Sequence, residues 1–287
     1  MIVITGATGA LNGATAERLL ERHGPDRIVV VARDPAKAQR FADLGVQVRR
    51  GDYADPASLP DAFAGADQLL LVSSSDPTAD AVALHRAAID AAVEAGVGRV
   101  LYTSHQGAGL GSPFGPGHDH AATEQALAAS GLRWTSLRNG FYAHSLVWLA
   151  GPWQRTGVIS VPGDGPVSWT AREDAAAAAA TVLEADGGFD GPVVLTAGAA
   201  PTFEEVAAIA SEVTGRTIRH EVVTEEAWAA AQQAAGLPEP AIRFTLGFYR
   251  AAEEGRFAGV DPLLGSLLGR SPRSVRAELE AEVAAGR

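Results

Sequence analysis

The residues best placed to do chemistry near the amino end are small. Ile2-Val3-Ile4-Thr5 is a strand-like run, and Gly6-Ala7-Thr8-Gly9-Ala10-Leu11-Asn12-Gly13 leads directly from it into a helix-like segment. Glycine is needed where a backbone turns tightly or approaches a bulky anion closely. A helix start behind such a turn adds free N–H groups and the positive end of its dipole. The spacing reads as a cradle for a pyrophosphate, with Gly6, Thr8, Gly9, Ala10, Leu11 and Asn12 as its contacts. One position departs from the usual pattern: a third glycine is expected at position 12, and this chain has Asn12 with Gly13 beside it. Asn12 is free to cap the helix, to touch the ligand, or to crowd the helix against the strand.

Further polar residues sit at the ends of the following strand-like runs. The second ends Val31-Ala32-Arg33-Asp34-Pro35, with Lys37 close behind. An acidic residue there suits the ribose hydroxyls of NAD, whereas Arg33 can fork onto a 2′-phosphate and Lys37 adds a second positive charge. Asp34 has a competing role, because aspartate before proline is a strong helix start. NADPH is therefore the expected cofactor, with NADH the alternative. Asp52 and Tyr53 follow the third run, where an adenine would lie, although Asp52 also suits the turn before Asp55-Pro56. Ser73, Ser74 and Ser75 after the fourth run, and Thr103 and Ser104 in the fifth, are small and polar, as expected beside a ribose or nicotinamide.

The elements that must position these residues follow from periodicity. Segments 2–5, 27–31, 46–49, 68–72, 99–103 and 133–138 read as strands, and 10–23, 35–44, 57–63, 78–95 and 119–130 as helices. Strands alternating with helices of this length indicate βαβ units with right-handed crossovers. Apolar runs such as Ile28-Val29-Val30-Val31 fit a sheet covered on both faces. The fold class is α/β, a Rossmann-type doubly wound parallel sheet. After about residue 140 the pattern loosens into turn-rich pieces, helices near 172–185, 203–214 and 225–254, and strands at 193–196 and 218–223. The expected division is a dinucleotide-binding domain over 1–140 and a smaller mixed α/β carboxyl-terminal lobe over 141–287, partly interleaved with the first.

Composition narrows the partners. The 287 residues carry a formal net charge of −11, which disfavours nucleic acid and anionic membrane. There is no cysteine, so disulfides and thiolate chemistry are excluded, and the chain is expected to be cytoplasmic. The apolar, alanine-rich stretch 175–183 is far too short to span a bilayer and reads as helix surface. His118 and His120 flank Asp119 without a third placed ligand, so no metal is expected. No Gly-x-Ser-x-Gly elbow is present, which argues against a serine hydrolase.

Taken together, these pieces resemble the NmrA-like branch of atypical short-chain dehydrogenases, above all its type-2 NAD(P)H:quinone oxidoreductases and triphenylmethane reductases. The matching residues are Ile4-Thr5-Gly6-Ala7-Thr8-Gly9, Val31 to Ala38, Gly51-Asp52-Tyr53, Leu70 to Ser75, Ala95-Gly96-Val97, Tyr102-Thr103-Ser104, His120 to Glu124, Leu137 to Tyr142 and Gly236 to Pro240. The likeness covers nearly the whole chain, and Asn12 is its one departure. It implies an NADPH-dependent reductase that passes hydride to a quinone or a similar planar conjugated acceptor. Two alternatives stay open: a non-catalytic dinucleotide-sensing regulator, and a pathway enzyme acting on an aromatic or polyketide-like intermediate. A homodimer is possible.

Placing Glu124 by its motif puts the usual short-chain-dehydrogenase lysine at His120 and the tyrosine at Pro116. The usual proton relay is therefore missing. Quinone reduction tolerates that loss, because hydride transfer to an electron-poor ring gives a stabilised anion. His120 and Tyr142 are the expected catalytic groups. His105, Asn139, Phe141, Tyr142 and Trp148 are the expected substrate contacts, since they follow strand ends, where such folds bind ligands, or supply aromatic faces.

Overall fold

The computed structural model describes residues 1–74, 76, 78–185 and 187–285; Ser75, quoted above within a motif, lies outside them. The amino-terminal alternation folds as β1 (Ile2–Thr5), α1 (Ala10–His23), β2 (Ile28–Ala32), α2 (Gln39–Ala42), β3 (Gln47–Arg50), α3 (Leu59–Phe63), β4 (Gln68–Leu71), α4 (Ala81–Glu94), β5 (Arg99–His105), α5 (Gly115–Ala129) and β6 (Arg133–Asn139). There follow β7 (Phe141–Tyr142), α6 (Leu146–Leu149), α7 (Trp153–Thr156), β8 (Val158–Val161), β9 (Trp169–Thr170), α8 (Arg172–Glu184) and β10 (Gly191–Leu195). The chain ends with α9 (Phe203–Thr214), β11 (Arg219–Val222), α10 (Glu225–Ala234), α11 (Glu239–Glu253), α12 (Leu263–Leu268) and α13 (Val275–Ala284).

Seven strands form one sheet in the order β10-β6-β5-β4-β1-β2-β3. The pairings β5–β4, β4–β1, β1–β2 and β2–β3 are parallel. The order runs outward from β1 in both directions, so crossovers leave opposite faces and a crevice opens at the carboxyl ends of β1 and β4. Every residue of β2 is buried, as a sheet covered on both faces requires.

The chain divides into two compact units. The first is 1–105, 119–138 and 175–193; the second is 106–118, 139–174 and 194–287. The boundary expected near residue 140 is one of several crossings. One reason lies in α8: Ala176, Ala178 and Ala180 are fully buried, and the Thr15 hydroxyl of α1 reaches the Ala176 carbonyl at 3.4 Å. The stretch that read as helix surface is core of the first unit, where alanine admits a close helix contact.

The second unit is built around aromatic rings. Phe141, Trp169, Phe203, Phe248 and Phe257 are buried together, with Phe141 and Phe248 centroids 4.6 Å apart. It carries the parallel pairs β8–β11 and β7–β9. The helical region expected over 225–254 is two helices, because Gly236 takes φ +89° and Pro238 starts α11. The segment over 35–44 is a tight 3-10 turn at Pro35–Ala38 followed by α2. Strands β7, β8 and β9 and helices α12 and α13 had no counterpart in the periodicity. Among the described residues no helix is long and apolar enough to cross a membrane.

Candidate functional site

In the first unit a crevice of about 510 Å³ is lined by Gly6, Thr8, Gly9, Arg33, Asp52, Tyr53, Ser73 and Ser74, all anticipated from the sequence, and by Thr5, Val72 and Leu84. Gly6 has φ +66°, and a Cβ there would sit 2.6 Å from Cγ1 of Val72, so both backbone conformation and space demand glycine. Gly9 starts α1 and offers no side-chain cap. The first N–H groups of a helix have no partner within it, which leaves those of Ala10, Leu11 and Asn12 for a ligand. The starts of α4, α9, α10 and α13, by contrast, are capped by Asp80, Thr202, Thr224 and Ser274.

The Asn12 side chain does not enter the crevice. It is 1% exposed, and its Nδ2 donates to the Thr5 carbonyl at 2.8 Å, tying the first turn of α1 to the end of β1. The close-packing role of a third glycine passes to Gly13, whose Cβ would lie 2.8 Å from the Ala7 carbonyl and against the Arg40 guanidinium. Arg40 in turn donates to that carbonyl at 3.1 Å and pairs with Glu17 at 3.0 Å. It braces the turn from behind, and no sequence signal marked it.

At the rim, Asp34 accepts from the Ala36 N–H at 3.1 Å as the cap of the Pro35–Ala38 turn. The carboxylate is engaged locally, which leaves Arg33 as the charge on the crevice at the end of β2. Lys37 is exposed in the same turn and is not part of the lining. Asp52 lines the crevice while accepting from the Ala54 N–H at 3.0 Å. Tyr53 donates to the Val72 carbonyl at 3.1 Å and lies 2.7 Å from the Thr5 hydroxyl; burial raises its pKa, so it remains a neutral phenol.

The wall beyond β4 is held by side chains. Val72 N–H donates to the Thr5 hydroxyl at 2.8 Å, Ser73 N–H to the Thr103 hydroxyl at 2.9 Å, and Ser74 N–H to His85 Nε2 at 2.7 Å. Thr103 thus acts from beneath. Thr5 and His85 were not anticipated; a hydroxyl closing a strand is a weak signal, and a single histidine on a helix gives none.

Other predicted groups lie deeper in this unit. The Tyr102 hydroxyl meets His120 Nδ1 at 2.8 Å, and the His105 ring stacks on His120 at 6.2 Å. Burial, followed by the neighbouring histidines, holds His120 well below its ordinary pKa; burial brings His105 and His85 to about 4. The Ser104 hydroxyl donates to Glu124 at 2.7 Å, beside donors from Ser136 and Arg138. Burial alone would raise the Glu124 pKa, but the hydrogen bonds from Arg138, Ser136 and Ser104 hold it below the usual range. This group fastens α5 to β5 and β6.

In the second unit Asn139 Nδ2 donates to the Tyr142 hydroxyl at 3.2 Å. Burial pushes that hydroxyl up to about 12, against the bond from Asn139. Phe141 is only 7% exposed and belongs to the aromatic core. Trp148, 49% exposed, lines a cavity of about 970 Å³ together with Trp153, Trp228 and Leu237. Phe141 and Trp148, expected to share a cleft, lie respectively in that core and on that cavity.

The glycine turn, the uncapped helix start and the doubly wound sheet define a dinucleotide-fold α/β protein. The chain belongs to the NmrA-like family, whose sequence profile matches residues 1–265. It is 40% identical over 241 residues to quinone oxidoreductase 2 of Escherichia coli, covering 83% of each chain. A solved structure of an Escherichia coli NADPH-dependent quinone oxidoreductase complexed with NADPH is similar to it with a TM-score of 0.91 and 35% identity, over 99% of this chain and 100% of that one. Triphenylmethane reductase from Citrobacter sp., complexed with NADP(H), gives 0.89 and 33% over 98% and 99%.

Proposed function

We propose that this chain is an NADPH-dependent reductase that transfers hydride to a quinone or a similar planar conjugated acceptor. The observation that carries the reading is the start of α1: it is left without a side-chain cap behind a turn only Gly6 can make, while Asp34 is consumed as a cap and Arg33 lines the same crevice. A pyrophosphate fits uncapped N–H groups, and a 2′-phosphate fits the Arg33 guanidinium, which shares the crevice with Asp52 and Asp76. The resemblance to NADPH-complexed reductases supports the same assignment.

When bound, NADPH supplies two electrons and one proton as hydride, and the reduced acceptor takes a second proton from elsewhere. Neutral His120, donating no charge, is assigned to orienting Tyr102. Tyr142 accepts from Asn139 and keeps its own proton to donate to a nearby oxygen. The aromatic cavity of the second unit suits a flat apolar molecule. Loss of the NADPH absorbance band with a panel of quinones and triphenylmethane dyes tests the reading. Turnover with a quinone is expected; tight binding without turnover across the panel would favour a dinucleotide sensor, and absence of binding would remove the assignment.

A further inference from the structure

Strand β4 ends at Leu71, so the next three N–H groups have no ladder partner, and a buried N–H left unpaired is costly. The strands flanking β4 supply hydroxyls for the first two: Thr5 from β1 and Thr103 from β5. The third, on Ser74, lies beyond them and is met by a longer side chain from α4. Asp80 fixes the start of that helix by accepting from the Ala83 N–H at 2.9 Å. His85 then points inward, 1% exposed, while its neighbour Leu84 lines the crevice.

The sense of the two short bonds to the ring follows from its partners, while the Tyr102 hydroxyl lies farther off, 3.5 Å from Nδ1. The Thr123 hydroxyl donates to the Asp119 carbonyl at 2.8 Å, so toward His85 Nδ1, also at 2.8 Å, it can only accept. Nδ1 therefore carries the ring proton, and Nε2 presents a lone pair to the Ser74 N–H at 2.7 Å. We propose that His85 is a positioning residue for the dinucleotide: its Nδ1–H tautomer, set by Thr123, clasps Ser74 and fixes the crevice wall on which the Ser73 and Ser74 side chains are presented. This rests on the crevice being the NADPH site.

Two measurements on the full chain test it. Nitrogen-15 NMR of labelled histidines, with His85 assigned by its absence in His85→Gln, should show an unprotonated Nε2 without and with NADPH; a protonated Nε2 at neutral pH overturns the proposal whether or not NADPH binds. In steady-state kinetics, His85→Leu should raise the KM for NADPH about tenfold, the scale of one buried N–H left unpaired, with kcat within about twofold. His85→Gln, whose Oε1 can stand where Nε2 does, should return KM to within about twofold of the parent. Equal behaviour of the Leu and Gln variants would overturn the clasp. If the Leu variant does not fold, Thr123→Val serves instead: it should shift the ring toward the Nε2–H tautomer and raise KM, and an unchanged tautomer would contradict the proposal. A parent chain that binds no NADPH would defeat the site assignment, while the tautomer measurement would still decide the clasp.

Discussion

Two helix starts in this molecule are built on opposite principles. α9 opens with a complete capping box, in which the Thr202 hydroxyl accepts from the Glu205 N–H and the Glu205 carboxylate accepts from the Thr202 N–H. α1 opens on Gly9 with no side chain across its end, although such a cap would stabilise a helix by about 1 kcal/mol. That stabilisation is absent at α11 as well, which starts on Pro238; what sets α1 apart is the Gly6 turn in front of its bare end and the crevice that turn lines. The difference teaches that an absent cap points to an anion site when it is read together with the glycine turn that precedes it.

The largest effect that sharpens this contrast comes from acid. The wall facing α1 rests on His85, and both His85 and His105 have folded pKa values of about 4 against an ordinary 6.5. Between those values the unfolded chain binds protons that the folded chain refuses, so stability is complete above pH 6.5 and is lost as pH falls toward 4. At the acid limit the loss is about 3 kcal/mol for each histidine. The Thr224 hydroxyl that caps α10 does not titrate there. A melting temperature that stays flat from pH 6.5 to 4 would break the claim that these rings are buried and neutral.

Next in size is Gly9→Asp. The carboxylate would cap α1 and place a negative charge where the proposed diphosphate would sit, so NADPH affinity should fall about 100-fold, from lost donors and repulsion together, while the fold stays intact, the new Cβ lying 3.3 Å from the Gly6 carbonyl. A lower melting temperature with unchanged affinity would reverse the comparison. Arg33→Asp removes one charge-assisted contact and should cost about tenfold in NADPH affinity while sparing NADH; an unchanged ratio of the two dissociation constants would detach Arg33 from the 2′-phosphate. Thr202→Ala is the smallest change, lowering stability by about 1 kcal/mol with NADPH affinity unaltered, as a thermal melt and a titration together would show.

Much of the first unit was legible because its code is local. Strands β1, β2 and β4 announce themselves as short apolar runs, and the turn at Gly6 follows from a backbone requirement a sequence displays. The role of Asn12 was not legible, since its partner is the Thr5 carbonyl, and only the structure shows that Gly13 takes the close approach instead. His85 was invisible for a related reason: its meaning comes from Ser74 and Thr123, which lie in separate stretches of the chain. The buried alanines of α8 gave no periodic signal, because a helix apolar all round has no face to read. In the second unit, two-residue strands such as β7 and β9 are too short for alternation to register, and the core forms from rings scattered between Phe114 and Phe257.

Calorimetric titration of the chain and of its Gly9→Asp variant with NADPH and NADH tests the central claim most directly. The account predicts saturable binding by the parent chain, tighter for NADPH, and its loss in the variant with the fold intact. Equal heats from parent and variant, or none from the parent with either nucleotide, would contradict it.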